Sequence, residues 1–177
     1  GWVAMECSHG TLHLNDDAFF FEFIEVAVPT RPNETFYELC VSSIDQGAEP
    51  HVRYRTGDIV RKVPGQCGCG SDRHAVVMEG RLTHFLTKDG QPMVSPQEVD
   101  AMIGPAEWLD MYQLEQVAND EFLVKLITNE RYVEGAEDYI ASALQEALQS
   151  PVKVNVELVD YIASERSGKF QIVKGFQ

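Results

Sequence analysis

The chain has 177 residues, of which 44% are hydrophobic and 24% charged, a composition that reads as soluble and globular with room for one medium domain or two small ones. Its formal net charge of −14 sets up a field that repels nucleic acid and anionic membrane, so neither is expected as a partner. The longest apolar run, around Ala18–Phe21, is far short of the roughly 20 residues of a membrane span. No basic start followed by an apolar core marks a leader, and the chain begins at Gly1 without an initiator Met, so a missing front part is expected. Any phosphate-bearing ligand needs a local cationic or helix-end site against this acidic background. Four cysteines are too few for a disulfide scaffold, which favours a reduced, cytoplasmic protein.

The first half reads as β-rich. Residues 11–15, 19–28, 35–44, 51–63 and 73–80 are runs of aromatic and β-branched residues. Turn formers separate them: Asn15-Asp16-Asp17, Pro29 to Asn33, Gln46-Gly47 and Pro64-Gly65. Residues 1–80 are therefore expected to form a small barrel or strongly twisted sheet.

From residue 81 to 177 the pattern changes. "SPQEVDAMI" carries a helix start, with Ser95 as cap, Pro96 at the first helical position and Glu98 closing a capping box. Val99, Met102 and Ile103 share a face. "WLDMYQLEQV" and "EFLVKLIT" read as strands joined at Ala118-Asn119-Asp120. Ile140, Leu144, Ala147 and Leu148 make one helical stripe. "VKVNVELV" alternates as a strand with one wet face. Helix, strand, strand, helix, strand predicts a three-stranded sheet covered by two helices, so the chain as a whole is α+β.

Three clusters carry chemistry. Cys67-Gly-Cys69-Gly is a tight pair whose glycines allow the backbone to wrap an ion, and "ECSHGTLH" supplies Cys7, His9 and His13. Cys7, His13, Cys67 and Cys69 make a closed four-donor zinc set, with His9 the rival for the fourth place; the bland alternative is buried thiols and solvent histidines. Cys67 and Cys69 cannot easily bridge each other, and Cys40 reads as a core thiol. "RYRTGD" presents Asp58 on a Thr-Gly-Asp turn, where a carboxylate can accept from the vicinal hydroxyls of a ribose. "SERSGKF" sets Lys169 on a Ser167-Gly168 turn, suited to an anionic group.

The order of "VRYRTGDIVR", "CGCG", "EGR", "DGQPMVSPQEVD" and "RSGKFQ" resembles the adenylate-forming superfamily, closest to its phenylacetate–CoA ligase branch with the coenzyme F390 synthetase relatives. The resemblance covers nearly the whole chain, and it corresponds to the end of the family's large domain plus its mobile C-terminal domain. It implies that Asp58 binds the ribose of ATP or AMP and that Arg81 sits at the interdomain hinge and reaches the nucleotide. It implies that Lys169 bridges the acyl carboxylate and the α-phosphate, and that Gly90 lets the thiol arm of coenzyme A pass. It also implies a structural zinc at Cys7, His13, Cys67 and Cys69.

The sequence departs from the family at Thr83, which stands where an acidic or Lys hinge is usual. It also has no phosphate loop and no Thr-Glu motif for Mg²⁺. The expected function is thus the C-terminal portion of a ligase that uses a small carboxylate, ATP with Mg²⁺ and coenzyme A, inactive without its N-terminal part. The alternatives are a zinc-stabilised binding module partnering a separate large domain, and an adenylyltransferase of F390 synthetase type. An oligomer is compatible with the sequence.

Overall fold

A computed structural model of the chain describes residues 2–44, 50–165 and 168–176. The expected turn at Gln46-Gly47 and the residue Ser167 lie outside the described residues. The chain divides into two compact units, one of Gly1–Ala27 with Pro32–Leu82 and one of Val28–Arg31 with Thr83–Gln177. The fold class is α+β, as the residue pattern predicts.

The first unit is a six-stranded antiparallel sheet built from β1 (Ala4–Glu6), β2 (Leu12–Leu14), β3 (Phe19–Val26), β4 (Phe36–Ser43), β5 (Tyr54–Lys62) and β6 (Ala75–Arg81). The order β1-β2-β6-β5-β4-β3 leaves β1 and β3 as edges, so the sheet curls without closing. β1 was not expected, because three residues carry too little periodicity to register as a strand. Alternation along the strands sends Leu14, Phe21, Leu39, Val41, Val60 and Val76 to one buried cluster. Two acids are buried among these strands and each meets an arginine: Glu38 pairs with Arg55, and Glu79 with Arg61.

A single 3₁₀ turn at Leu82–His84 leads from the first unit into the second, where β7 (Leu86–Lys88) and β8 (Gln91–Val94) form a two-stranded hairpin. α1 (Pro96–Ile103) follows, capped by Ser95, whose Oγ accepts from the Glu98 N–H at 3.1 Å. β9 (Leu109–Gln116) and β10 (Glu121–Thr128) pair antiparallel, and α2 (Asp138–Leu148) leads to β11 (Lys153–Leu158), which runs parallel to β10. A short β12 (Val173–Lys174) adds a fourth strand beside β9, giving the order β11-β10-β9-β12 where three strands were expected. Two residues beyond the last periodic segment offer no pattern to read; their pairing is decided by the exposed edge of β9.

The two helix stripes behave as the spacing requires. Val99, Ile103, Ile140, Leu144 and Leu148 are buried with Leu114, Phe122, Val124 and Leu126 in one core. Fully burying a side chain of this size contributes about 1.5–3 kcal/mol, so this cluster carries much of the unit's stability. Among the described residues no helix is long and apolar enough to cross a membrane.

Candidate functional site

The Thr-Gly-Asp segment is not a turn between strands. It lies inside β5, as a bulge. Glu38 faces Ile59 and Cys40 faces Arg55, so Leu39 of β4 stands opposite Thr56, Gly57 and Asp58 together. Gly57 takes φ 74°, a conformation glycine adopts without strain. Thr56 mends the broken ladder: its Oγ1 donates to the Leu39 carbonyl at 3.0 Å and accepts from the Asp58 N–H at 3.0 Å. This role of Thr56 was missed in the sequence, although a hydroxyl two residues before an Asp is the spacing that permits it.

The bulge aims the Asp58 carboxylate outward, 33% exposed, at the end of the β5–β6 ladder. Directly opposite is Arg81, the last residue of β6, whose Nε donates to Asp58 Oδ1 at 3.2 Å. A partly exposed carboxylate with one oxygen held by a guanidinium keeps acceptor capacity suited to a diol or another neutral double donor.

Cys7, His13, Cys67 and Cys69 converge. Their candidate donor atoms all lie within 4.8 Å of one another. Cys7 and His13 flank the β1–β2 turn, and Cys67 and Cys69 sit on the connection from β5 to β6. Cys7 Sγ is 3.7 Å from Cys67 Sγ, and Cys69 Sγ is 3.4 Å from His13 Nε2. A tetrahedral zinc with bonds of about 2.3 Å to sulfur and about 2.0–2.1 Å to nitrogen separates two sulfurs by about 3.8 Å and sulfur from nitrogen by about 3.6 Å. The donor set therefore fits such an ion.

His13 is buried, and its Nδ1 faces the Arg73 carbonyl at 3.4 Å, which leaves Nε2 for the cluster. Arg73 was not singled out in the sequence, since a carbonyl partner leaves no residue-type signal. His9, the rival donor, packs its ring over Gly68 and lies outside the cluster.

The thiols repel one another's ionisation. The Cys69 N–H, then the Thr11 hydroxyl and the His13 ring, pull the Cys67 thiol down to about 6. For Cys7, burial works against ionisation, but the N–H groups of His9 and Thr11 prevail and its pKa is lowered. Cys69 goes the other way: the Ser71 N–H favours its thiolate, yet burial and the neighbouring thiols raise it. His13 is raised, chiefly by its hydrogen bond to Cys67. Crowded sulfurs cannot all ionise without a cation between them.

Gly90 and Lys169 belong to the second unit. Asp89 and Gly90, at φ 51° and 76°, are the two-residue turn of the β7–β8 hairpin. Asp-Gly between strands is a strong hairpin signal that the sequence reading left unused. The turn is fixed to β9 and its loop by Gln116, whose side chain exchanges hydrogen bonds with both backbone groups of Thr87, and by Asn119, whose Oδ1 accepts from the Asp89 N–H and whose Nδ2 donates to the Asp89 carboxylate. Lys169 is exposed; its carbonyl accepts from the Glu165 N–H at 2.9 Å, and the Gly168 N–H donates to the Glu165 carbonyl at 2.8 Å.

Comparison with known proteins gives one family and a shared fold. The CapK C-terminal domain model matches residues 85–175. No curated protein matches the sequence. Among solved structures, 2-hydroxyisobutyryl-CoA ligase in its postadenylation state with R3-HIB-AMP is similar at 16% identity and a TM-score of 0.71, over 98% of this chain and 40% of that one. A benzoate CoA ligase from Burkholderia xenovorans LB400 is similar at 13% identity and a TM-score of 0.55, over 87% of this chain and 32% of that one. Fatty acyl-adenylate ligases from E. coli and L. pneumophila give 13% identity and a TM-score of 0.55, over 93% and 32%. At these identities the likeness is one of fold. The chain spans 32–40% of the length of these structures.

Proposed function

The chain belongs to the family of the CapK C-terminal domain, and on that premise we propose that it is the C-terminal portion of an ATP-dependent, carboxylate-activating ligase of the adenylate-forming superfamily. Such an enzyme joins a carboxylate to AMP with release of pyrophosphate, then passes the acyl group to a thiol, here coenzyme A. The phenylacetate–CoA ligase branch is the reading we favour, on the Cys-x-Cys-Gly between the Asp segment and the Gly-Arg. The fold shared with acyl-CoA and acyl-adenylate ligases supports the general kind of reaction.

The observation that carries this reading is the bulge. Three residues of β5 opposite one of β4 direct Asp58 out beside Arg81. In the proposed enzyme Asp58 accepts from the two ribose hydroxyls, Arg81 reaches the nucleotide, and Lys169 neutralises charge growing between the carboxylate and the α-phosphate. Gly90 borders the path of the thiol arm. The two compact units correspond to the end of the large domain and to the mobile C-terminal domain.

Zinc at Cys7, His13, Cys67 and Cys69 ties the β5–β6 connection to the β1–β2 turn, supplies structural cross-linking and takes no part in the chemistry. The convergence of that set also favours a second reading, a zinc-stabilised module that binds a separate large domain and performs no chemistry itself.

Carboxylate-dependent pyrophosphate release separates the two. The chain alone is expected to show none; combined with a protein carrying a phosphate loop and acyl pocket, it is expected to turn over. Turnover by the chain alone overturns the portion reading, and binding of that partner without turnover favours the module.

A further inference from the structure

We propose that Cys7 and Cys67 form an oxidisable thiol pair, closed to a disulfide by a peroxide, and that closure competes with metal for the same two sulfurs. The disulfide half of this inference stands on the thiol geometry; the metal half rests on the four-donor reading above.

The geometry distinguishes the thiols. Cys7 Sγ already touches Cys67 Sγ at 3.7 Å, across 60 residues of chain, and both side chains are partly exposed. Cys69 Sγ is engaged instead with His13 Nε2 at 3.4 Å. Cys67 and Cys69 have a single residue between them, a spacing that strains a bridge. Cys40 is buried at 1% exposure, in β4 and away from the cluster. Cys7, Cys67 and Cys69 are all partly exposed, and Cys7 and Cys67 are the pair whose sulfurs meet while Cys69 faces His13. Bringing their sulfurs to about 2.0 Å requires side-chain rotation in two surface connections, the β1–β2 turn and the β5–β6 loop, and leaves the six-stranded ladder in place.

The step balances. One thiolate attacks a peroxide oxygen, the O–O bond breaks, and a sulfenic acid and one water result. The second thiol then attacks that sulfur, the S–O bond breaks, the S–S bond forms and a second water leaves. Two thiols lose two protons and two electrons, and hydrogen peroxide takes them up as two waters. In the metal-bound state the same oxidation removes two of four donors, and the ion departs in its original oxidation state. Cys69 and His13 alone make a two-donor remainder, too few for a structural site. The disulfide joins the same two surface segments the metal joined, so the tie is exchanged rather than lost.

The test is hydrogen peroxide on the 177-residue chain, metal-stripped and zinc-loaded, followed by alkylation and non-reducing peptide mapping. The stripped chain is expected to lose about 2 Da, regain it with dithiothreitol, and yield a Cys7–Cys67 cross-link with Cys40 and Cys69 alkylated. Cys69→Ser is expected to keep this cross-link and Cys7→Ser to lose it; if Cys7→Ser does not fold, the wild-type map decides. A main product linking Cys69 to either partner, or sulfinic acids with no disulfide, overturns the proposal. In the loaded chain, zinc caught by a chromogenic chelator is expected to rise in step with the cross-link, and zinc retained by cross-linked protein overturns the competition. A chain that takes up no zinc but forms the cross-link supports the disulfide and removes only the four-donor reading.

Discussion

Asp58 and Arg81 face each other across the β5–β6 ladder, with Arg81 Nε 3.2 Å from Asp58 Oδ1. The pair joins the two residues that the sequence marks separately, one in "TGD" and one in "EGR". An exposed ion pair of this kind contributes at most about 1 kcal/mol to stability. Asp58→Asn is therefore expected to leave the melting temperature nearly unchanged. In the reconstituted ligase it is expected to weaken AMP binding by about 10- to 100-fold, the worth of one hydrogen bond to a charged group. Calorimetric titration with AMP beside a thermal melt checks both. A large drop in melting temperature with unchanged binding assigns the pair to the fold alone.

Metal content and its removal test the cysteine–histidine set. Purified chain is expected to hold about one equivalent of zinc, and chelation to lower its melting temperature, as for other structural sites. Cys69→Ser is expected to drop the content below half an equivalent, read by elemental analysis.

Zinc affinity is expected to fall with pH in a defined way. Metal-free Cys67 loses its proton near pH 6, below the usual thiol value of 9.0, so above that pH zinc displaces no proton from it. His13, raised, still holds a proton to be displaced as pH falls below its own value. The slope of log affinity against pH is thus expected to steepen by one as pH drops through about 6, measured by competition with a coloured chelator. The sign for stability is the same: a depressed thiol pKa stabilises the metal-free fold fully above the unfolded value and loses that contribution as pH falls through about 6.

Gly90 separates a turn requirement from a steric one. A Cβ there meets nothing within 4 Å, but φ 76° disfavours it. Gly90→Ala is expected to cost about 1–2 kcal/mol in denaturant melts, and Gly90→Asn less, because Asn tolerates left-handed backbone. If the thiol arm passes here, both variants slow thioester formation while adenylate formation holds. Equal loss of both half-reactions removes that role.

Lys169→Ala is expected to lower carboxylate-dependent pyrophosphate exchange by about 10²–10³, in line with losing one group that stabilises growing negative charge. Thioester formation from preformed acyl-adenylate is expected to change much less.

Local pattern carried most of the fold. Helical stripes ending in Ile103 and Leu148 and an alternating strand such as β11 need only their own residues to declare a period, and the Ser95 cap is written in four consecutive residues. Elements of two or three residues, β1 and β12, carry no period and exist because a neighbouring edge offers unpaired backbone groups. The same division runs through the candidate site. Spacing by itself named Cys7, His13, Cys67 and Cys69 but left His9 open, because donors some sixty residues apart can be ranked only when the β2–β6 pairing sets them side by side. The Thr-Gly-Asp segment marks Asp58 and the family resemblance marks Arg81, but neither marks their contact. That contact depends on a bulge opposite Leu39 and on a register between distant strands, both fixed by the packing of the whole sheet. Residue types determined which chemistry the chain can hold; tertiary register decided which of those groups meet, since distance between side chains is a property of strand pairing and not of sequence separation.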